Sequence, residues 1–358
     1  MDKDVIITCG TSIIRNLKEM GLKPEHKDIF NKLSRSFIQG LTEDVSSLSA
    51  ELSTFELLNL NNSDTSAFIT TDTDLGTHAA LLVKRICEIH FDISVEIKTI
   101  SGLNLNNIQQ FKRDGLSQLI DTLDYRVEND RNYGRSPIIS ISGGIKPVIP
   151  YISVYSMLRC VPLTYVFEKT RELITLPGLP IEFDFSLLST IEKHFKELDE
   201  KACVSKSRLI NVIGPDTFSF IEGLFDDAGN GKITPSIFGM MLFSDIEKAS
   251  KSKVFLSITA DKNYSRLNKK DQNSFDLLLE RVKNPFWRSS KLYKFEGTDL
   301  NVWKPGNTAH RIAGWVENEQ IYIAALYESH DFYERDLNGR KRNQYDIKTF
   351  VEWRQSIT

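Results

Sequence analysis

The stretch DVIITCGTS, residues 4–12, decides the fold of the amino-terminal part of the chain. A short run of apolar and β-branched residues ends at Gly10, where small residues take over before a helical segment begins. A strand that turns tightly into a helix is the repeating unit of sheets with parallel strands. The free N–H groups of such a turn, at the carboxyl end of a strand, are a common binding place for phosphate groups.

Strand-like runs and helix-period segments alternate through the rest of the first 178 residues. The further strand-like runs are 67–71, 93–98, 137–142 and 162–167. The helix-period segments between them are 76–91, 107–124 and 146–159. This alternation predicts an α/β fold in which helices connect the strands of a parallel sheet, and we interpret residues 1–178 as a Rossmann-like domain. The stretch LPGLP, residues 176–180, marks its end because proline interrupts both helices and central strands.

The pattern changes twice in the remainder of the chain. Residues 179–250 contain helical segments around the stretch DDAGNGKIT, residues 226–234, and resemble a small winged helix-turn-helix domain. That stretch is also similar to a calcium-binding loop, but Ala228 and Ile237 stand where such a loop needs carboxylates, so it predicts a β-turn. Residues 251–358 contain a strand, two helices and a series of antiparallel strands, which predicts an α+β domain.

Composition and charge narrow the classes of function. The chain has 358 residues, of which 41% are hydrophobic and 26% charged, as in globular proteins. It has no apolar run long enough to span a membrane and no signal peptide, so we expect a cytoplasmic protein without a membrane partner. Its four cysteines are far apart and predict neither a metal site nor disulfides. Residues 251–358 carry 19 Lys and Arg against 14 Asp and Glu, which favours a polyanionic partner for this domain.

Two polar loops are predicted at one edge of the amino-terminal sheet. The first strand ends in Gly10-Thr11-Ser12, and the fourth ends in Ser142-Gly143-Gly144-Ile145-Lys146-Pro147. Glycines allow close approach of the backbone to a ligand, and Lys146 supplies a mobile positive charge. The glycine patterns of dinucleotide-binding and P-loop proteins are absent from the sequence, so the loops predict another phosphorylated ligand.

The residues that follow the second strand, at the same edge of the sheet, have two interpretations. Thr73, Asp74 and Gly76 follow the second strand and are placed to contact an adenine or a ribose. The same residues also form a typical amino-terminal cap for the helix at 76–91, and this interpretation is preferred.

The two loops together resemble the CRISPR-associated Rossmann fold (CARF) family, over about residues 1–175. The resemblance implies a homodimer that binds one cyclic oligoadenylate across its two-fold axis, with cyclic tetra-adenylate as the activator and no other cofactor. The ligand-binding residues that it implies are Gly10, Thr11, Ser12, Asn16, Asp74, Ser142, Gly143, Gly144 and Lys146.

Basic and aromatic residues converge in HRIAGWVENEQIYIAALYESHDFYER, residues 310–335. A hairpin centred near residue 318 is expected to bring His310 and Arg311 close to His330 and Tyr333, with Lys304 on the preceding strand. Such groups suit RNA cleavage by its own 2′-hydroxyl, because they move protons and stabilise the phosphorane without a metal. For isolated residues, the favoured interpretation is that His310 and His330 cap strand ends and that the arginines are solvated. Their clustering in the basic domain favours catalysis.

This region is similar to the RelE/YoeB family of messenger-RNA interferases, over about residues 253–337. The resemblance implies cleavage of messenger RNA in the ribosomal A site, with Arg311 on phosphate and with His330 and Tyr333 in acid, base or stacking roles. Arg340, Lys341 and Arg342 would add contacts to ribosomal RNA.

The domain order predicts an ancillary effector of type III CRISPR defence, in which the cyclic oligoadenylate activates the ribonuclease through the winged-helix spacer. The alternative is a CARF-containing transcription regulator whose winged helix binds DNA and whose RelE-like fold is inert.

Overall fold

The computed structural model describes residues 2–26, 28–40, 45–104, 107–167, 170–179, 185–198, 203–305 and 309–354. The chain divides into two compact units, Met1–Pro180 and Ile181–Thr358. The boundary lies in the proline-rich stretch, and the division into three domains stays a prediction. Within the described residues, no helix is both long and apolar enough to cross a membrane.

The first unit contains a six-stranded sheet in the order β3-β2-β1-β4-β5-β6. Its strands are β1 (Lys3–Thr8), β2 (Thr65–Thr71), β3 (Val95–Ile100), β4 (Ser136–Ser140), β5 (Leu163–Phe167) and β6 (Glu172–Leu176). The first five strands pair in parallel, and β6 pairs antiparallel with β5. This mixed α/β arrangement is compatible with the predicted Rossmann-like domain. The antiparallel β6 was not predicted, because it lies at the sheet edge with mostly exposed side chains that leave no apolar alternation.

Eight α-helices accompany this sheet within the described residues. They are α1 (Ser12–Glu19), α2 (Ile29–Lys32), α3 (Arg35–Gln39), α4 (Ala50–Leu57), α5 (Asp74–His90), α6 (Ile108–Gln110), α7 (Leu116–Asn132) and α8 (Ile149–Leu158). The predicted helices at 76–91 and 146–159 match α5 and α8, whereas the segment 107–124 contains α6, a π-helical turn and the start of α7. Helix α4 was missed because its sequence, AELSTFEL, has no helical alternation of polar and apolar residues.

A buried charged cluster lies at the amino end of the sheet, away from the predicted loops. The Asp4 side chain is fully buried and receives hydrogen bonds of 2.5 Å from Arg126 Nε and Nη2. Asp130, also buried, lies beside Asp4. Burial, followed by the charge and hydrogen bond of Asp4, raises the pKa of Asp130 to about 8. Asp130 therefore retains its proton in the folded state near neutral pH.

The second unit begins with helices and a three-stranded sheet in the order β7-β9-β8. Its elements are α9 (Phe185–Leu198), β7 (Val204–Ser205), α10 (Lys206–Ile213), α11 (Pro215–Ile221), β8 (Phe225–Gly229), β9 (Lys232–Pro235) and α12 (Ile237–Lys251). Asn230 and Gly231 have φ values of 53° and 70°, as the tight turn between β8 and β9 requires. The predicted β-turn is confirmed, and the winged-helix interpretation stays a prediction.

The rest of the second unit is built on a six-stranded sheet in the order β11-β12-β13-β14-β10-β15. The strands are β10 (Val254–Leu256), β11 (Leu292–Tyr293), β12 (Asn301–Trp303), β13 (Arg311–Glu317), β14 (Gln320–Tyr327) and β15 (Val351–Glu352). The helices are α13 (Ile258–Arg266), α14 (Lys269–Arg281), α15 (Pro285–Ser290) and α16 (His330–Leu337). The β13–β14 hairpin turns at Asn318 and Glu319, which have positive φ values, so the hairpin predicted near residue 318 is confirmed.

The two faces of this sheet bury different clusters of side chains, because successive residues of a strand point to opposite faces. One cluster contains Phe275 and Leu279 of α14 together with Ile312 of β13. The other contains Ala313 of β13 and Tyr333 of α16. We call these the α14 face and the α16 face. The alternation decides which predicted catalytic side chains lie together.

Candidate functional site

The two predicted glycine loops lie side by side at the carboxyl edge of the first sheet, because β1 and β4 are adjacent parallel strands. A Cβ atom on Gly10 would lie 2.9 Å from the backbone nitrogen of Gly144. Gly144 itself has φ 92°, a conformation that favours glycine. Thr8 Oγ1 donates a hydrogen bond to the Gly143 carbonyl and so ties the end of β1 to the second loop. The glycines are therefore required by close backbone packing.

A buried carboxylate beneath the loops was missed from the sequence. Glu51, in the first turn of α4, is 1% exposed, and its Oε1 accepts a hydrogen bond of 2.6 Å from the Gly10 N–H. A Cβ atom on Gly143 would overlap the same oxygen. Glu51 Oε2 is buried and has no hydrogen-bond partner among the described residues. Glu51 thus contacts both loops from α4, and nothing in the local sequence pattern distinguishes it from a surface glutamate.

The Ser142 hydroxyl forms hydrogen bonds within the protein that support the second loop. Ser142 Oγ accepts hydrogen bonds from the Val166 N–H at 2.9 Å and from Thr54 Oγ1 at 3.1 Å, and it lies 2.9 Å from Ser140 Oγ. Ser142 is 9% exposed. Among the predicted ligand-binding residues, it therefore shapes the second loop from below, whereas Gly143 and Gly144 form the surface of that loop.

Within the two loops, the predicted side chains that remain accessible are Thr11, Ser12 and Lys146. Thr11 and Lys146 are exposed, and Ser12, the first residue of α1, is half-buried. Within the described part of the chain, Lys146 forms no ion pair. The exposed backbone and hydroxyl groups of the first loop and the ammonium of the second are thus available to a ligand at the same sheet edge.

Asn16 and Asp74, the two weaker candidates, differ in their surroundings. Asn16 Nδ2 donates a hydrogen bond of 2.8 Å to the Leu48 carbonyl. Asp74 is exposed at the first position of α5, behind Thr73, whose side chain accepts from the Gly76 N–H at 3.1 Å. The interpretation of Thr73 as a helix cap is confirmed.

A small cavity lies under the two loops, lined by Thr8, Cys9, Ile69 and Gly144 among others. It holds about 10 Å³ of water-accessible space, enough for about one water molecule. Burial raises the pKa of the Cys9 thiol well above its usual range. Cys9 is therefore a protonated packing residue.

The structure does not bring His310 to the other predicted catalytic residues. Its Nε2 lies 3.0 Å from Asp271 Oδ1, and its ring packs edge-on against Phe275 at 4.9 Å between centroids, on the α14 face. Arg311, the next residue, lies on the α16 face, with its guanidinium 4.7 Å from the centre of the Tyr333 ring. Strand alternation sends the two neighbours to opposite faces. The predicted hairpin brings the backbones of these residues together, but it does not determine which face of the sheet each side chain occupies.

Arg311 and Tyr333 form a buried pair on the α16 face. Arg311 is 5% exposed and donates through Nη1 to the Ala309 carbonyl, while its Nε has no partner among the described residues. Burial, and next the nearby Tyr293, raise the pKa of the Tyr333 phenol. Tyr333 is therefore a neutral phenol at physiological pH. On the neighbouring edge, Lys304 Nζ lies 5.0 Å from the centre of the Tyr293 ring.

His330 is the first residue of α16, and its side chain lies outside the described residues. The turn before it belongs to a cavity of about 760 Å³ between the α13–α14 connection and the end of β14, lined by residues that include Arg266, Asn268, Glu328 and Ser329. No three His, Cys, Asp or Glu side chains within the described ranges lie close enough to hold a metal ion.

Comparison with protein families identifies part of the first unit. Residues 46–179 match the model of a family described as CRISPR-associated protein (Cas_APE2256). The match supports the conclusion that the protein is CRISPR-associated. The matched region of this CRISPR-associated protein runs from before α4 to the end of the first unit and includes Glu51 and the second glycine loop. A comparison with curated proteins gives no match.

Proposed function

We propose that this CRISPR-associated protein is a type III CRISPR-Cas ancillary effector. In this proposal a cyclic oligoadenylate, with cyclic tetra-adenylate as the first candidate, binds a CARF homodimer. Binding activates a metal-independent, ribosome-dependent endoribonuclease in the second unit, which cleaves messenger RNA in the ribosomal A site. The observation that carries the proposal is the meeting of two glycine loops at the carboxyl edge of a parallel sheet, in a unit of which residues 46–179 match a CRISPR-associated family.

The first unit supports binding of a phosphorylated ligand. Parallel sheets bind such ligands outside the carboxyl ends of their strands, which is where both loops lie. Glu51 already occupies the Gly10 N–H, so contacts to phosphate and ribose fall to Thr11, Ser12 and the backbone of Gly143 and Gly144. Lys146 neutralises a phosphate. A two-fold symmetric dimer would repeat these contacts around a cyclic ligand.

The second unit supports RNA cleavage through its α16 face. In this reaction the 2′-oxygen attacks the adjacent phosphorus, the O2′–P bond forms and the P–O5′ bond breaks. Arg311 would stabilise the charge of the phosphorane, as cationic donors do in phosphoryl transfer. Because burial raises its pKa, Tyr333 keeps its proton and suits donation toward the leaving 5′-oxygen. The family resemblance gives His330 the role of acid or base, and in this scheme it would act as the base that removes the 2′-hydroxyl proton.

His310 has a different role in this proposal. Its contact with Asp271 joins β13 to α14 on the face opposite Arg311. The hydrogen bond from His310 lowers the pKa of Asp271. His310 is therefore a structural residue that fixes the start of β13, and with it the position of Arg311.

The transcription-regulator alternative gains nothing from the second unit. Helix α12, the segment that a winged helix would present to DNA, buries Met241, Leu242 and Phe243 among other residues. A helix that reads a major groove keeps such a face free and basic.

The test is ribosome-dependent cleavage of messenger RNA by the full-length protein, with no ligand, with cyclic tetra-adenylate and with cyclic hexa-adenylate. We expect cleavage only when a cyclic oligoadenylate is present. The Arg311→Ala variant should bind the ligand and fail to cleave. Equal cleavage with and without ligand would overturn the allosteric part of the proposal, and normal cleavage by Arg311→Ala would overturn the assignment of the nuclease site.

A further inference from the structure

Tyr293 is an exposed aromatic residue on β11, the strand at one edge of the six-stranded sheet of the second unit. Its side chain is 41% exposed. The Lys304 ammonium lies over its ring at 5.0 Å from the centre. A single exposed tyrosine is common on protein surfaces and requires no explanation by itself. Tyr293 is of interest because it lies near Arg311 and Tyr333, the residues of the proposed nuclease site.

The strand register places Tyr293 on the α16 face. Tyr293 pairs with Val302, and Val302 pairs with Ala313. Val302 and Ala313 pack in the same cluster as Tyr333. Tyr293 also lies close enough to Tyr333 to contribute to the raised pKa of that phenol. The exposed Tyr293 ring and the Lys304 ammonium therefore border the buried pair formed by Arg311 and Tyr333.

An exposed ring beside a cation has the chemistry needed to bind a single-stranded nucleic acid. A base stacks on the ring, and the cation contacts the neighbouring phosphate. The buried Arg311 and Tyr333 cannot offer a flat exposed surface to a base, because both are almost fully covered. Of these side chains, Tyr293 is the one with an accessible ring.

We propose that Tyr293 is a stacking platform for a base of the RNA substrate and that Lys304 binds the phosphate next to that base. Together they hold the strand at the β11 edge of the sheet, on the side where Arg311 and Tyr333 lie. This inference rests on the proposed ribonuclease function and specifies how its site takes the RNA. Tyr293 is a positioning residue in this scheme, since it does not touch the reacting atoms.

The experiment uses messenger RNA that carries 2-aminopurine in the A-site codon and a 2′-deoxy substitution at the scissile position. The substitution blocks cleavage, so stacking is measured apart from chemistry. The full-length protein with cyclic tetra-adenylate should quench the fluorescence of this messenger, both free and loaded on ribosomes. Tyr293→Leu should weaken binding about tenfold, the effect of losing one stacked base, and abolish most of the quenching.

Two further variants separate stacking from folding. Tyr293→Phe keeps the ring and should bind and quench as the wild type does. Tyr125→Leu removes a tyrosine of the first unit that is 73% exposed and should have no effect. With cleavable messenger, Tyr293→Leu should raise KM about tenfold and leave kcat within about twofold.

The inference is overturned if Tyr293→Leu quenches and binds like the wild type, or if the wild-type protein quenches neither form of the messenger. Failure of the proposed function gives a different pattern. In that case the quenching still depends on Tyr293, but the cleavable messenger stays intact with every cyclic oligoadenylate.

Discussion

Replacing Gly10 by alanine inserts a methyl group between the two loops of the first unit. The new Cβ atom would lie 2.9 Å from the Gly144 nitrogen, and ordinary contacts begin at 3.4 Å. The loops must therefore separate by about 0.5 Å, because the neighbour is backbone and cannot rotate away. Overpacking of this kind costs about 1–3 kcal/mol. For a unit of this size, about 2 kcal/mol corresponds to a Tm lower by about 4–8 °C.

Calorimetry of the full-length chain measures the shift in Tm, and hydrogen exchange followed by mass spectrometry locates it. Exchange should increase in peptides that contain residues 8–12 and 140–148, because separation of the loops also weakens the bond from the Gly10 N–H to Glu51. Gly223→Ala is the matched control, since no heavy atom lies within 4 Å of its added Cβ atom and its φ is ordinary. A Tm for Gly10→Ala equal to that of the control would refute the packing argument.

Four further outcomes follow from the structure. Lys146→Ala should raise the concentration of cyclic tetra-adenylate needed for half-maximal activation about tenfold, as measured by messenger cleavage, with unchanged cleavage at saturation. Tyr333→Phe should lower kcat at least about hundredfold while the Tm changes little, and a wild-type kcat would contradict its role as proton donor. His310→Ala should lower the Tm by removing the hydrogen bond between His310 and Asp271, yet the folded variant should cleave within about tenfold of the wild type. Because the folded-state pKa of Asp130 is raised to about 8, the stability that its proton supplies is complete below pH 4 and is lost as the pH rises through 8. Urea titrations should show this fall, at most about 1.4 kcal/mol per pH unit, and Asp130→Asn should abolish it.

Predictions from the sequence succeeded where a pattern is local. The strand β1 and its glycine turn follow from DVIITCGTS, because apolar residues followed by glycine leave few other conformations. The β13–β14 hairpin follows in the same way from two apolar strands around Glu317-Asn318-Glu319. In each case a few adjacent residues contain all of the signal.

Predictions failed or were incomplete where residues distant in sequence meet. Glu51 reaches Gly10 and Gly143 only because α4 packs beneath two strand ends. Tyr293 joins Tyr333 only through the register of three strands. The residues next to Glu51 and Tyr293 in the sequence form no pattern from which these contacts could be predicted.

The sequence by itself determined the parallel sheet of the first unit, the placement of two glycine loops at its carboxyl edge, and the hairpin of the second unit. Hydrophobic periodicity and glycine conformations are properties of neighbouring residues, so they can be read along the chain. Only the tertiary structure decided which side chains share a face. His310 and Arg311 are adjacent in sequence but face opposite sides of the sheet, because a strand alternates its side chains and the helices α14 and α16 cover different faces.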